Sequence, residues 1–117
     1  MKAIPLRRVE GEYVQCGTSE ATHLRLKTPG PFEYRTLPII THGSRRGTPC
    51  WTWNGDTEKP TLKPSVRTST GKSPDPDFNP PVIVCHSWIT DGKIIFLSDC
   101  THTLAGTTHS LLEQESN

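Results

Sequence analysis

The chain has 117 residues, too few for two ordinary domains, and hydrophobic residues make up 32% of it, below the roughly 45–50% of a typical globular domain counted with glycine. Thirteen basic and 12 acidic residues leave a formal net charge of +1, so neither nucleic acid nor a membrane surface is an expected partner on electrostatic grounds. No run approaches the ~20 apolar residues of a transmembrane helix. The opening Met1-Lys2-Ala3-Ile4-Pro5-Leu6-Arg7-Arg8 lacks the apolar stretch of a signal peptide, and a cytoplasmic location is expected.

Eleven prolines and nine glycines are scattered through the sequence, and no long window keeps a 3.6-residue period free of them. Short β-branched and aromatic runs between turn signals predict an all-β fold of mainly antiparallel hairpins with little helix. The expected strands are Glu12 to Cys16, His23 to Leu26, Thr36 to Thr41, Cys50 to Trp53, Ser65 to Thr68, Val82 to Thr90 and Lys93 to Ser98. They imply one domain over 1–117 with its core at about 12–112, a Pro/Gly loop at 71–81, and a flexible polar tail at 113–117.

The clearest local signal is Val82 to Thr90, then Asp91-Gly92, then Lys93 to Ser98. Asp-Gly between two apolar runs predicts a type I′ hairpin, since both turn residues need positive φ. Thr90 then pairs with Lys93. Continued outward, that register places Cys85 and Cys100 on one face and His86 diagonal to Asp99 on the other.

Four cysteines in a reducing compartment point to metal binding or plain burial rather than disulfides. Cys16, His23, Cys85 and Cys100 together would make a closed, structural zinc site. Cys85, Cys100 and His102 alone would leave one position open, as catalysis by a metal-bound water requires. His86 with Asp99 can orient a general base or make a structural hydrogen bond, and His86, Asp99 and His102 are the candidate catalytic residues. Cys50 is expected to be buried, and His42 and His109 to lie on the surface.

Trp51 and Trp53 alternate on one strand face, as core or as a stacking platform, ahead of an Asn54-Gly55-Asp56 turn. With Arg45 and Arg46, which can hold a phosphate, Trp51, Trp53, Asn54 and Asp56 form the candidate ligand-binding set.

Trp51-Thr52-Trp53-Asn54-Gly55-Asp56, Lys59-Pro60-Thr61, Pro64-Ser65-Val66, Cys85-His86-Ser87, Asp91-Gly92-Lys93 and Ser98-Asp99-Cys100-Thr101-His102 with Leu104-Ala105-Gly106-Thr107 occur in that order. Over roughly Tyr13 to Leu112 the chain resembles a family of small phage and prophage proteins of unknown function, often auto-labelled "ammonia monooxygenase". That label does not suit a chain without a membrane span. The resemblance implies a metal-bound β fold and, for a phage-encoded protein, the host cytoplasm. Members usually carry a CPxCG knuckle. Here Cys16-Gly17 matches its second half and Tyr13 stands in place of the first cysteine, which favours a mixed site with His23.

Three functions follow as expectations. The first is a zinc-stapled intracellular binding module directed at a host protein, as in counter-defence. The second is a zinc-dependent hydrolase in which Cys85, Cys100 and His102 hold the metal while His86, Asp99 or Asp56 moves protons. The third is sequestration of a nucleotide-like small molecule by the tryptophans and arginines.

Overall fold

The computed structural model describes residues 1–40, 50–70 and 83–115. Arg45, Arg46, His42 and the expected 71–81 loop lie outside these residues. The described chain is all-β: β1 (Ala3–Val9), β2 (Glu12–Gln15), β3 (His23–Lys27), β4 (Tyr34–Pro38), β5 (Thr52–Trp53), β6 (Leu62–Ser69), β7 (Val84–Thr90), β8 (Lys93–Phe96) and β9 (Thr108–Ser110), with one 3₁₀ turn at Thr18–Glu20. No helix among the described residues is long and apolar enough to cross a membrane.

The strands form two sheets, ordered β2-β1-β3-β4 and β5-β6-β7-β8-β9, and every strand pairing in both is antiparallel. Leu24, Leu26 and Leu37 from the first sheet join Val66, Ile89 and Phe96 from the second in one buried cluster. Alternation puts these residues on the facing sides of the sheets. Fully burying a Leu, Ile, Val or Phe side chain stabilises by about 1.5–3 kcal/mol, so a core this thin depends on each of them.

Two strands were not expected from the sequence. β1 is interior to its sheet although it contains Pro5, which lacks an N–H. Pro5 contributes its carbonyl instead, accepting the Cys16 amide at 3.0 Å. β9 is only three residues, too short to show a period. Of the expected tail at 113–117, residues 113–115 are described. Gln114 is buried, its side chain donates to the Arg25 and Lys2 carbonyls and accepts from Arg25 Nε, and its amide donates to the Met1 carbonyl.

The β7–β8 hairpin has the register that Asp-Gly predicts, with Thr90 opposite Lys93 and Ile89 opposite Ile94. Asp91 and Gly92 both have positive φ, 51° and 76°. A Cβ on Gly92 would meet the Glu58 carbonyl oxygen and Lys59 Cα, both at 3.2 Å, whereas one on Gly11, also at positive φ, would meet nothing within 4 Å. Gly92→Ala is therefore expected to cost about 2–4 kcal/mol in urea unfolding, and Gly11→Ala only the backbone term of about 1–2 kcal/mol. Equal losses would show that the close approach under the hairpin carries no weight.

Candidate catalytic and metal centre

β7 carries chemistry on both faces. Its partner on one side, β6, breaks register between Leu62 and Val66, where four residues of β6 span two of β7. Such irregularities re-aim side chains. Past the break Arg67 lies opposite His86, so Ser65, two residues earlier, shares the outer face with both. Ser65 Oγ stands 2.9 Å from His86 Nε2.

On its other side β7 meets the turn that follows β8. The Leu97 amide donates to the His86 carbonyl, Cys100 N–H closes the turn on the Leu97 carbonyl, and Thr101 N–H returns to the Val84 carbonyl. Thr101 Oγ1 also accepts the Val84 amide at 2.7 Å. The turn so fastened presents Asp99 outward, with Oδ2 2.9 Å from His86 Nδ1.

The hydrogen bond from His86 holds the Asp99 carboxyl below the usual carboxylate range, so Asp99 is an acceptor and Nδ1 carries the proton. In neutral imidazole the lone pair is then on Nε2, where it accepts the Ser65 hydroxyl proton. Ser65, His86 and Asp99 thus have the connectivity of a nucleophile, a base and its orienting carboxylate. The Asp99 side chain is 60% exposed, so its part rests more on hydrogen-bond geometry than on unscreened charge.

The inner face of the same strand holds the thiols. Cys85 and Cys100 are buried, and with His102 they offer three ligand atoms within 4.8 Å of one another. Cys100 Sγ lies 3.2 Å from the His86 amide and donates to the His86 carbonyl at 3.1 Å. From the opposite sheet Arg35 reaches in, 5% exposed, and its Nη2 donates to Cys85 Sγ at 2.9 Å. Among the described residues no carboxylate pairs with Arg35, and its Nε and Nη1, with His102 Nε2, are buried without a partner. Burial pushes the Cys85 thiol up against the opposing pull of Arg35, and burial, then Arg35, pushes the His102 imidazole down.

Two thiols and an imidazole with no carboxylate suit a borderline-soft ion such as zinc. A tetrahedron with arms of ~2.0–2.3 Å has edges of roughly 3.3–3.8 Å, so the trio needs only a small contraction to close on an ion. His102 Nδ1 now accepts the Leu104 amide at 3.2 Å. Coordination through either ring nitrogen would end that contact, since a neutral ring has one lone pair to give.

Cys16 and His23 are not in this group. Cys16 follows β2 and His23 opens β3, on opposite sides of β1, which at ~4.8 Å per strand spacing separates them by about 10 Å. His23 Nδ1 is engaged with Thr22 Oγ1, and its ring meets Tyr13 edge-on. All four cysteines are free, and Cys50 is half-buried.

The remaining candidates build structure locally. The Trp51 indole N–H donates to the Ser65 carbonyl and that of Trp53 to the Asp56 carbonyl, and both rings pack against the core. Asn54 Oδ1 accepts the Asp56 and Thr61 amides. Asp56 Oδ1 accepts those of Glu58 and Lys59. Sequence reasoning missed Ser65 as the partner of His86 and missed Arg35 altogether. Ser65 was visible only within Pro64-Ser65-Val66, with no glycine-flanked elbow around it.

A family model described as bacterial ubiquitination-like system serine protease (BubE) matches residues 15–97. The match covers most of the chain, including Ser65 and His86, and stops just short of Asp99. No curated protein and no solved structure matches.

Asp56 gives a pH test. The Lys59 and Glu58 amides hold its carboxyl below the ordinary 3.8. A depressed folded pKa contributes stability that is present above the unfolded value and lost as pH falls through the folded one. The stability difference between wild type and Asp56→Asn is therefore expected at pH 6 and should close below about pH 3.8. A difference unchanged at pH 3 in urea titrations would show that ionisation at Asp56 contributes nothing.

Proposed function

We propose, from the premise that this chain belongs to the bacterial ubiquitination-like system serine protease family, that it cleaves peptide bonds with Ser65 as nucleophile, His86 as general base and acid, and Asp99 as the group that orients His86. The observation that carries this reading is the pair of 2.9 Å contacts that link Ser65 to His86 and His86 to Asp99. Its substrate class is a protein of such a ubiquitination-like system.

Ser65 Oγ attacks the carbonyl carbon of the scissile bond as its proton passes to His86 Nε2. Asp99 accepts from Nδ1 throughout and stabilises the imidazolium. The tetrahedral intermediate collapses, the C–N bond breaks, and His86 delivers its proton to the leaving nitrogen. A water then gives a proton to His86 and its oxygen to the acyl carbon, which releases the acid and restores the Ser65 hydroxyl.

This reading departs from the binding-module expectation because Ser65 completes a nucleophilic constellation that His86 and Asp99 do not make alone. It also differs from the zinc-hydrolase expectation, since His102 faces the thiols and the proton chemistry lies on the other side of β7. Asp56, committed to two amides, has no part in it.

Zinc belongs to the same reading as a staple held by Cys85, Cys100 and His102. Bound zinc would keep both sulfurs as thiolates, and Arg35 would donate to the Cys85 sulfur from outside the ligand set. Cys100 touches the backbone of His86, so the staple also holds the base in place.

A fluorophosphonate probe is expected to label Ser65 in the wild-type protein, to leave Ser65→Ala unlabelled, and to react about 10³–10⁴-fold more slowly with Asp99→Asn or His86→Ala. Equal labelling of Asp99→Asn and wild type would remove Asp99 from the mechanism, and no labelling of wild type would remove the protease reading.

Protein purified without added metal should contain about one zinc per chain. Chelation should lower the melting temperature by roughly 10 °C or more, as loss of about 4 kcal/mol of linked binding requires. If Cys100→Ser melts with wild type and metal content is negligible, the staple does not exist.

A further inference from the structure

We propose that the acyl side of the substrate, the residues that precede the scissile bond, binds as an added antiparallel strand on the outer edge of β6, in register with Arg67. This rests on the serine-protease reading.

Hydrogen-bond alternation along β7 supplies the argument. His86 turns its amide to Cys100 Sγ and its carbonyl to the Leu97 amide, both on the β8 side. Antiparallel ladders alternate, so Cys85 and Ser87 turn the other way, toward their register partners Thr68 and Val66 on β6. Arg67, between those two and opposite His86, must then direct its own N–H and C=O away from β7. Ser65 agrees, since its carbonyl is met from outside by the Trp51 indole N–H at 3.2 Å.

β5 covers only part of this outer edge. Its two residues pair with Leu62 and Lys63, and Trp51 occupies the Ser65 carbonyl. Beyond that point no described strand pairs with β6 on this side, and among the described residues nothing meets either backbone group of Arg67, two residues past Ser65. An N–H and a C=O offered by one residue match one residue of an antiparallel strand, which returns both hydrogen bonds.

The direction of that strand decides which side of the cut is held. Running opposite to β6, the substrate passes Arg67 first and comes level with Ser65 two residues later, where it makes no ladder bond because the Trp51 indole holds the Ser65 carbonyl. The residue opposite Arg67 is then the third before the cut. After the cut, the leaving side would run into the edge already filled by Trp51 and Thr52, and so must turn away from the sheet. The enzyme would hold the acyl side and read little of the leaving side.

The test uses a library of acyl-tetrapeptide aminomethylcoumarin amides and the full chain. Its best-cleaved member is remade with an N-methyl group on the third or on the second residue before the cut. N-methylation of the third, whose N–H faces Arg67, should lower kcat/KM about 10–100-fold, and that of the second, whose N–H faces away, by less than about 3-fold. Arg67→Pro removes the outward N–H and no ladder bond, and should give a loss of the same size with an unchanged urea midpoint.

Fluorophosphonate labelling of Ser65 is read in parallel. Loss of labelling in wild type would defeat the protease reading itself. Normal labelling with equal turnover of the N-methyl peptides, with dependence on leaving-side length instead, or with no member cleaved, would overturn the added-strand proposal alone.

Discussion

The two-residue alternation of one strand organises this molecule. Along β7, Cys85 points into the space between the sheets and His86 points out. Each finds its counterpart in the same turn after β8, where Cys100 faces in and Asp99 faces out. A single hairpin register therefore sets two chemically unlike sites back to back, one peptide unit apart. A slip of one residue would exchange them, placing the imidazole among the thiols and a thiol beside Ser65. The Asp91-Gly92 turn opposes that slip, because its positive φ angles fix the loop at two residues.

The buried Arg35 is the costliest feature of the inner site. A guanidinium does not shed its charge on burial, and this one faces sulfur rather than carboxylate. Its position follows from β4, where it sits opposite Leu26 on the core-facing side. A leucine there would fill the same space at less electrostatic cost. Beside the Cys85 sulfur Arg35 has the Phe32 ring, whose centroid is 5.6 Å from its guanidinium carbon, and a Cys85 thiolate held by a metal would add the compensating charge that burial disfavours in the free thiol. In the staple reading Arg35 would support the metal from outside the ligand set, and among the described residues its Nε and Nη1 are buried without a hydrogen-bond partner.

Much of the fold was legible because hairpins declare themselves locally. Asp-Gly with flanking apolar runs gave the β7–β8 register, and the His86–Asp99 and Cys85–Cys100 proximities followed from alternation. β1 was illegible because Pro5, Arg7 and Arg8 break the composition of a strand, while tertiary pairing to β2 and β3 overrides that preference. Cys16 and His23 stand apart for a topological reason. β1 inserts between the strands that carry the two residues, and no feature of the intervening loop reveals an insertion by a segment that precedes both.

Ser65 shows where local reading stops. A nucleophile on a glycine elbow can be recognised from its neighbours, but Ser65 stands in an ordinary-looking strand after a proline. What makes it a candidate is a register break in β6 that brings its hydroxyl to His86, and a break in pairing belongs to two strands at once. Among the described residues β5 pairs only with Leu62 and Lys63, at the start of the same break, and none pairs with Arg67 from that side. In the protease reading one irregularity would both aim the nucleophile and leave room for substrate on the edge beside it, and a regular β6 fully paired to a longer β5 would provide neither. On that reading the two extra residues between Leu62 and Val66, rather than any one side chain, separate a sheet with a catalytic edge from a sheet that is only a scaffold.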